Sequence, residues 1–161
     1  MKKGDNVKKL IPISLVCLLI DQIIKVVITT NLKIADSINI ITNFFRITYL
    51  QNTGAAWSIL SGNKIVLILI TLIALFLIYY FLLKNKNLKN IEYILYGVLI
   101  GGILGNLIDR VRFGYVIDYL DFNFENYRYP VFNFADICIV VSIVIMVLLS
   151  IKDDKDGNNS R

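Results

Sequence analysis

Four stretches of this chain are apolar and long enough to cross a membrane. They cover residues 10–28, 65–83, 91–108 and 131–151 of the 161 in the sequence. A helix needs about 20 predominantly apolar residues to span the hydrocarbon layer of a bilayer. The pattern therefore predicts a mainly α-helical membrane protein with four transmembrane helices, built as a single domain over residues 1–152.

Two segments of mixed polarity, residues 29–64 and 109–130, connect these spans in pairs. In the first, residues 46–51 alternate between polar and apolar positions and end at the turn-prone Asn52-Thr53-Gly54, which is typical of a strand. Residues 36–41, DSINII, are a candidate partner strand. We therefore expect a small β-sheet that rests on the membrane surface.

The second mixed segment is rich in aromatic residues and is bounded by Pro130. It predicts an amphipathic element lying along the membrane interface. Trp57, in the first segment, suits the same interface, where amphipathic rings settle. Residues 153–161, after the last span, are polar and predict a disordered cytoplasmic tail.

Basic residues concentrate in segments that alternating helices place on one side of the membrane. The formal net charge is +5. Lysines lie before the first span, between the second and third, and after the fourth: Lys2, Lys3, Lys8, Lys9, Lys84, Lys86, Lys89, Lys152 and Lys155. Short basic loops mark the cytoplasmic side. Both termini are then cytoplasmic, and the charge indicates membrane topology and not nucleic-acid binding.

The chain contains no histidine. This excludes Ser-His-Asp and Cys-His catalysis and removes the commonest metal ligand. The two cysteines, Cys17 and Cys138, lie within spans and are expected to be apolar packing residues. Any proton transfer must then rely on carboxylates, Lys, Tyr or Cys.

Asp118 and Asp136 stand out among the acidic residues near the membrane. Asp118 follows the third span, Asp136 opens the fourth, and neither has a basic neighbour within one helical turn in sequence. Because the third and fourth helices are consecutive and antiparallel, both carboxyl groups reach the same outer level. Two neighbouring carboxylates share a proton, so one can activate water while the other protonates a leaving group, with no metal or other cofactor. Proton or ion conduction and structural hydrogen bonding remain alternatives at this point.

Other polar residues in the spans allow a structural and a functional interpretation. Asp21 and Lys25 are one turn apart and form either an ion pair or a group that acts on substrate or folding. Asp109 and Arg110 close the third span, where capping and pairing explain them, although Arg110 also suits a substrate carbonyl or a lipid phosphate. Gly97, Gly101 and Gly105 recur every four residues and predict close helix packing.

Five motifs occur in order along the chain: DQIIK, QNTGAAWSIL, GGILGNLIDR, VIDYL and FNFAD. Together they resemble the bacterial lipoprotein signal peptidase family, also called signal peptidase II, over residues 10–151. Each motif alone is weak evidence, whereas five in order on a chain with four spans are specific.

The resemblance implies an intramembrane aspartic endopeptidase of the bacterial cytoplasmic membrane, with its active site near the outer face. Such an enzyme cuts a prolipoprotein before its diacylglyceryl-modified cysteine and is inhibited by globomycin-type peptides. Its partners are lipidated prolipoproteins and membrane lipids, and we expect a monomer.

The same resemblance assigns roles by motif. Asp118 and Asp136 match the catalytic dyad of the family, and Asp21, Lys25 and Asp109 match supporting positions. The matches to substrate-binding or site-framing positions are Asn52, Gly54, Asn106, Arg110 and Asn133.

Two other classes of membrane protein remain as alternatives. Intramembrane carboxylates also serve small transporters and proton-conducting proteins, although such proteins more often show repeated halves and helices broken near mid-membrane. The second alternative is a structural assembly factor that packs through the glycine face.

Overall fold

The computed structural model describes residues 5–55, 59–84, 88–124 and 127–158. They form four helices: α1 (Asp5–Asn31), α2 (Lys64–Lys84), α3 (Asn90–Phe113) and α4 (Phe134–Asn158). The interfacial position predicted for Trp57 lies outside the described residues.

Each of the four helices is long and apolar enough to cross a membrane, as the hydrophobic pattern predicts. The third runs past the predicted end at residue 108 to Phe113. There Gly114 adopts a left-handed conformation, with φ of 86°, and its N–H donates to the carbonyl of Arg110. Glycine takes up this conformation without the steric penalty of a Cβ atom, so it ends the helix.

The fourth helix also extends further than predicted. It continues to Asn158, so residues 153–158 are helical where the sequence predicts a disordered tail. Asp153 lies 2.6 Å from Lys89 at the start of α3. This contact ties the first turn of the tail to the bundle.

The third helix is the centre of the bundle, with α1 and α4 packed against it and α2 beside it. Its glycines allow the close approach that their spacing predicts. A Cβ added at Gly101 would stand 2.7 Å from Cys17 Cβ of α1, and one added at Gly102 would stand 2.6 Å from the Ala135 carbonyl of α4. Because these glycines have no side chains, α1 and α4 can approach α3 closely.

A four-stranded antiparallel sheet lies beyond the ends of these helices, in the order β1-β2-β3-β4. Its strands are β1 (Ser37–Ile41), β2 (Phe45–Asn52), β3 (Val116–Phe124) and β4 (Tyr127–Arg128). The predicted pairing of DSINII with residues 46–51 is confirmed.

The second mixed segment, predicted as an amphipathic element along the interface, forms strands. It supplies β3 and β4 and so completes the sheet, because β3 finds a partner in β2. Both connections between helices thus belong to one sheet, which places their polar residues together.

Candidate active site

Asp118 and Asp136 line the same cavity, which has a volume of about 840 Å³. Asp118 lies on β3 and Asp136 in the first turn of α4. The topology that brings the end of α3 and the start of α4 to one level therefore brings the two carboxyl groups to one site.

Asn133 joins the two carboxylates. Its backbone N–H donates to Asp136 Oδ2 at 3.1 Å, and the Asp136 N–H donates to Asn133 Oδ1 at 3.0 Å. This reciprocal pair is a capping box at the start of α4. The Asn133 side-chain amide donates to Asp118 Oδ1 at 2.7 Å, so one residue fixes both acids.

Two further asparagines bind the other carboxylate oxygens. Asn52 donates to Asp118 Oδ2 at 2.9 Å, and Asn106 donates to Asp136 Oδ1 at 2.8 Å. Each of the four carboxylate oxygens therefore accepts a hydrogen bond from an asparagine.

A buried ion cluster lies behind Asn106. Lys25 is 1% exposed, and its Nζ lies 2.9 Å from Asp21 Oδ2 and 2.8 Å from Asp109 Oδ2. The ion pair predicted for Asp21 and Lys25 is present, with Asp109 as a second acid. The same Nζ donates to Asn106 Oδ1 at 3.1 Å, so the cluster reaches the carboxylates through one side chain.

Arg110 lies on the cavity wall, where its guanidinium donates to the Gly54 carbonyl at 3.0 Å. Asn52 Oδ1 accepts from the Gly54 N–H at 2.9 Å. The turn that ends β2 is thereby held to the C-terminal end of α3.

The pKa of Asp118 is raised to about 7, mainly because burial disfavours the charged form and also because Asp136 is nearby. The hydrogen bonds from Asn52 and Asn133 act in the opposite direction. Asp118 is therefore able to hold a proton near neutral pH, as an acid catalyst requires.

All of the residues that the sequence predicts for the site meet here, either around the cavity or in the ion cluster behind it. Two other polar residues are part of the same arrangement and were not predicted. Gln22 donates to Asp109 Oδ1 at 3.1 Å, and the Tyr119 hydroxyl accepts from the Phe134 N–H at 3.1 Å. A third residue that was not predicted, Asp121, is buried on β3 outside the cavity. The position of Gln22 beside Asp21 was the available signal, whereas the partners of Tyr119 and Asp121 depend on tertiary contacts.

Residues 13–152 match the protein family described as Signal peptidase (SPase) II. The lipoprotein signal peptidase of Halothermothrix orenii is 40% identical over 146 residues, covering 89% of this chain and 96% of its own. The lipoprotein signal peptidase of Clostridium acetobutylicum is 43% identical over 143 residues, covering 87% of this chain and 93% of its own.

Solved structures agree with these sequence relatives. A bacterial membrane enzyme determined at 2.3 Å resolution superposes with a TM-score of 0.85 and 35% sequence identity, covering 93% of this chain and 92% of its own. A second, determined at 1.9 Å resolution, gives a TM-score of 0.81 and 36% identity, covering 91% and 95%.

Proposed function

Because this chain belongs to the signal peptidase II family, we propose that it removes signal peptides from diacylglyceryl-modified prolipoproteins by cleaving before the lipidated cysteine. The family makes it a bacterial multi-pass membrane protease. The aspartic mechanism, the residue roles and the orientation that follow are parts of the proposal.

The observation that supports the aspartic mechanism best is the position of Asn133. It donates to Asp118 and exchanges hydrogen bonds with Asp136, so both acids face one cavity in a fixed relation. Two neighbouring carboxyl groups that face one cavity can act as the general acid and the general base in peptide hydrolysis when no histidine is present.

In the proposed first step, Asp136 takes a proton from water as the water oxygen attacks the scissile carbonyl carbon. Asp118, whose raised pKa lets it hold a proton, gives that proton to the carbonyl oxygen. The product of this step is a neutral tetrahedral diol. Neither carboxyl group forms a covalent bond to the substrate.

In the second step, Asp136 returns its proton to the leaving nitrogen as the carbon–nitrogen bond breaks. Asp118 recovers a proton from one hydroxyl of the diol, which becomes the carbonyl of the new carboxyl group. The two acids end as they began, and the atoms of one water are divided between the two products.

The remaining site residues hold this arrangement and the substrate. Asn52, Asn106 and Asn133 orient the acids, while Arg110 and Gly54 frame the cavity for the peptide backbone. Asp21, Lys25 and Asp109 support Asn106 from behind.

The wall of the cavity suits a substrate that carries lipid. Alongside the carboxylates it includes apolar side chains of α4, among them Ile137, Val140 and Val141. Val140 is 58% exposed on the outer surface of the bundle, so acyl chains of the diacylglyceryl group can reach the site from the bilayer. We place this end of the bundle at the outer face and both termini in the cytoplasm, because Lys84, Lys89 and Lys152 lie at the other end.

Purified protein incubated with a synthetic prolipoprotein tests this function. We expect cleavage before the cysteine when it carries diacylglycerol, at least about tenfold slower cleavage when the cysteine is unmodified, and inhibition by globomycin. Proton flux in proteoliposomes without any proteolysis would instead support the transporter alternative.

A further inference from the structure

Asp121 is a buried acid on β3 that lies close to the dyad in sequence but not in the cavity. It is 0% exposed, and its Oδ2 accepts from Arg46 Nε at 2.6 Å and from the Thr48 hydroxyl at 2.9 Å. A buried carboxylate is unfavourable unless it is paired and hydrogen-bonded. Both of these partners belong to β2, so Asp121 is a fixed link between the two strands.

The two partners of Asp121 adjoin an irregularity in β2. Arg46 lies opposite Asp121 and Ile47 opposite Leu120, but the next pair is Leu50 with Asp118. Residues 48 and 49 of β2 therefore face a single residue of β3, Tyr119. This is a β-bulge, in which one strand carries one extra residue.

The bulge decides which side chain of β2 lies beside Asp118. Side chains alternate between the faces of a sheet, and directly opposed residues share a face. Since Leu50 opposes Asp118, Asn52 lies on the same face and donates to Asp118 Oδ2 at 2.9 Å. Without the extra residue, Tyr49 would oppose Asp118 and Asn52 would turn to the other face.

Asp121 itself is on the face away from the cavity. The cavity is lined by the alternate β3 residues Val116, Asp118, Phe122 and Phe124. Asp121 is three residues from Asp118, so its side chain leaves the opposite face of the strand. It does not reach the position of a substrate and acts only through other residues.

The first residue of the bulge, Thr48, is held from two sides. Its hydroxyl hydrogen goes to Asp121, so the Ser37 hydroxyl of β1, 2.8 Å away, donates to it. The second, Tyr49, is held through its backbone, which bonds to Asp36 and Ala35. Among these contacts, the bond to Asp121 is the one that ties the bulge to the strand carrying Asp118.

We propose that Asp121 is a positioning residue for the dyad, which holds the β2 bulge in place and so keeps Asn52 on Asp118. This inference rests on the proposed function, because its consequence for turnover acts through the same carboxylate. It assigns a task to a side chain that no motif singled out.

A double-mutant cycle between Asp121 and Asn52 tests the inference. We expect Asp121→Ala to lower kcat about tenfold, with KM within about twofold of wild type, because a hydrogen bond to a catalytic carboxylate is weakened. In an Asn52→Ala background the same change should lower kcat less than about twofold, since the bond it protects is already absent. Asp121→Asn should stay within about threefold of wild type, because its carbonyl oxygen can accept from both Arg46 and Thr48.

Asp153→Ala is the matched control, since it removes a half-exposed carboxylate that pairs with Lys89 at the far end of the bundle, and it should leave kcat unchanged. If Asp121→Ala does not give folded protein, Thr48→Val replaces it, because it removes the bridging hydroxyl and keeps the shape. The inference would be overturned if Asp121→Ala lowered kcat by the same factor in wild type and in the Asn52→Ala variant. An Asp121→Asn variant whose kcat is no higher than that of Asp121→Ala would also overturn it.

A crystal structure of Asp121→Ala supplies a readout that does not depend on activity. The inference predicts that the Asn52 amide moves beyond hydrogen-bonding distance of Asp118, and an unchanged contact would contradict it. Failure of the proposed function is distinct, since it would appear as a wild-type protein that does not cleave the lipidated precursor.

Discussion

At the scale of single residues, the site is defined by the orientation of three asparagine amides. The oxygen of each is engaged elsewhere: by the Gly54 N–H for Asn52, by Lys25 for Asn106, and by the Asp136 N–H for Asn133. An amide group whose oxygen already accepts a bond must present its NH₂ group to other partners. Here those partners are the two carboxylates, so the local bonds set the hydrogen bonding of the dyad before substrate arrives.

The raised pKa of Asp118 leads to a pH dependence of known sign. The hydrogen bond from Asn52 favours the ionised form, so its removal raises the pKa of Asp118 above about 7. Because the proposed first step needs the proton on Asp118, cleavage by wild type should fall as pH rises through about 7. In Asn52→Ala the fall should move to higher pH, although the maximal rate is lower.

Profiles of kcat/KM against pH for the two proteins measure this shift. Asn39→Ala, which changes an exposed asparagine in β1, is the control and should keep the wild-type profile. If the fall of kcat/KM at high pH stayed at the wild-type pH in Asn52→Ala, the assignment of Asp118 as the proton donor would be contradicted. A fall that moved to lower pH would contradict it as well.

The position of the two acids at one level could be predicted from the sequence, whereas the contacts of Asp121 could not. Asp118 and Asp136 adjoin strongly apolar spans, so helix order alone places them at one level. Asp121 was missed because its partners are on β2, some 75 residues earlier in the chain, and a bulge shifts their register. Nothing local in sequence indicates such a shift.

At the scale of elements, Gly102 of α3 sets the position of α4 and therefore of Asp136, whereas the periodic glycines Gly97 and Gly101 pack against α1. Gly102 lies against Ala135 and Cys138, which flank Asp136 in sequence. The periodic glycines could be read from the sequence, and the close packing they predict is present. The strand β3 could not be predicted from the sequence, because apolar residues occupy both of its faces and leave no clear alternation of polar and apolar positions.

Substitution of these glycines separates packing from catalysis. Gly102→Ala places a Cβ 2.6 Å from the Ala135 carbonyl, so α4 must shift, and we expect kcat to fall at least about tenfold. Gly97→Ala meets Ile13 of α1 at 2.8 Å, far from the dyad, and should lower thermal stability while kcat stays within about threefold.

Thermal unfolding in detergent and cleavage kinetics measure both effects. Alanine is a better helix former than glycine by about 1 kcal/mol, so any loss of stability reports steric conflict. A Gly102→Ala variant with wild-type turnover would show that the position of α4 is not set by this contact.

At the scale of the whole molecule, the protein gathers its polar chemistry at one end of an apolar bundle. Many large apolar side chains remain exposed on the outer faces of the helices, for example Ile65 at 72%, as expected where lipid is the surrounding solvent. The buried residues include the charged cluster around Lys25 and Asp118, and Asp136 is partly buried. One sheet closes over this end, so water, peptide and lipid can meet at a single cavity.

The central claim is that the two aspartates carry out the hydrolysis, and Asn substitutions test it most directly. Cleavage of the diacylglyceryl prolipoprotein should be measured for wild type, Asp118→Asn and Asp136→Asn. The half-exposed Asp153 provides a control variant, Asp153→Asn, and thermal unfolding checks that each variant is folded. We predict that both dyad variants remain folded and lose at least about 10³-fold in kcat, while the control is unchanged. A folded variant at either position that keeps its turnover within about tenfold of wild type would contradict the aspartic mechanism.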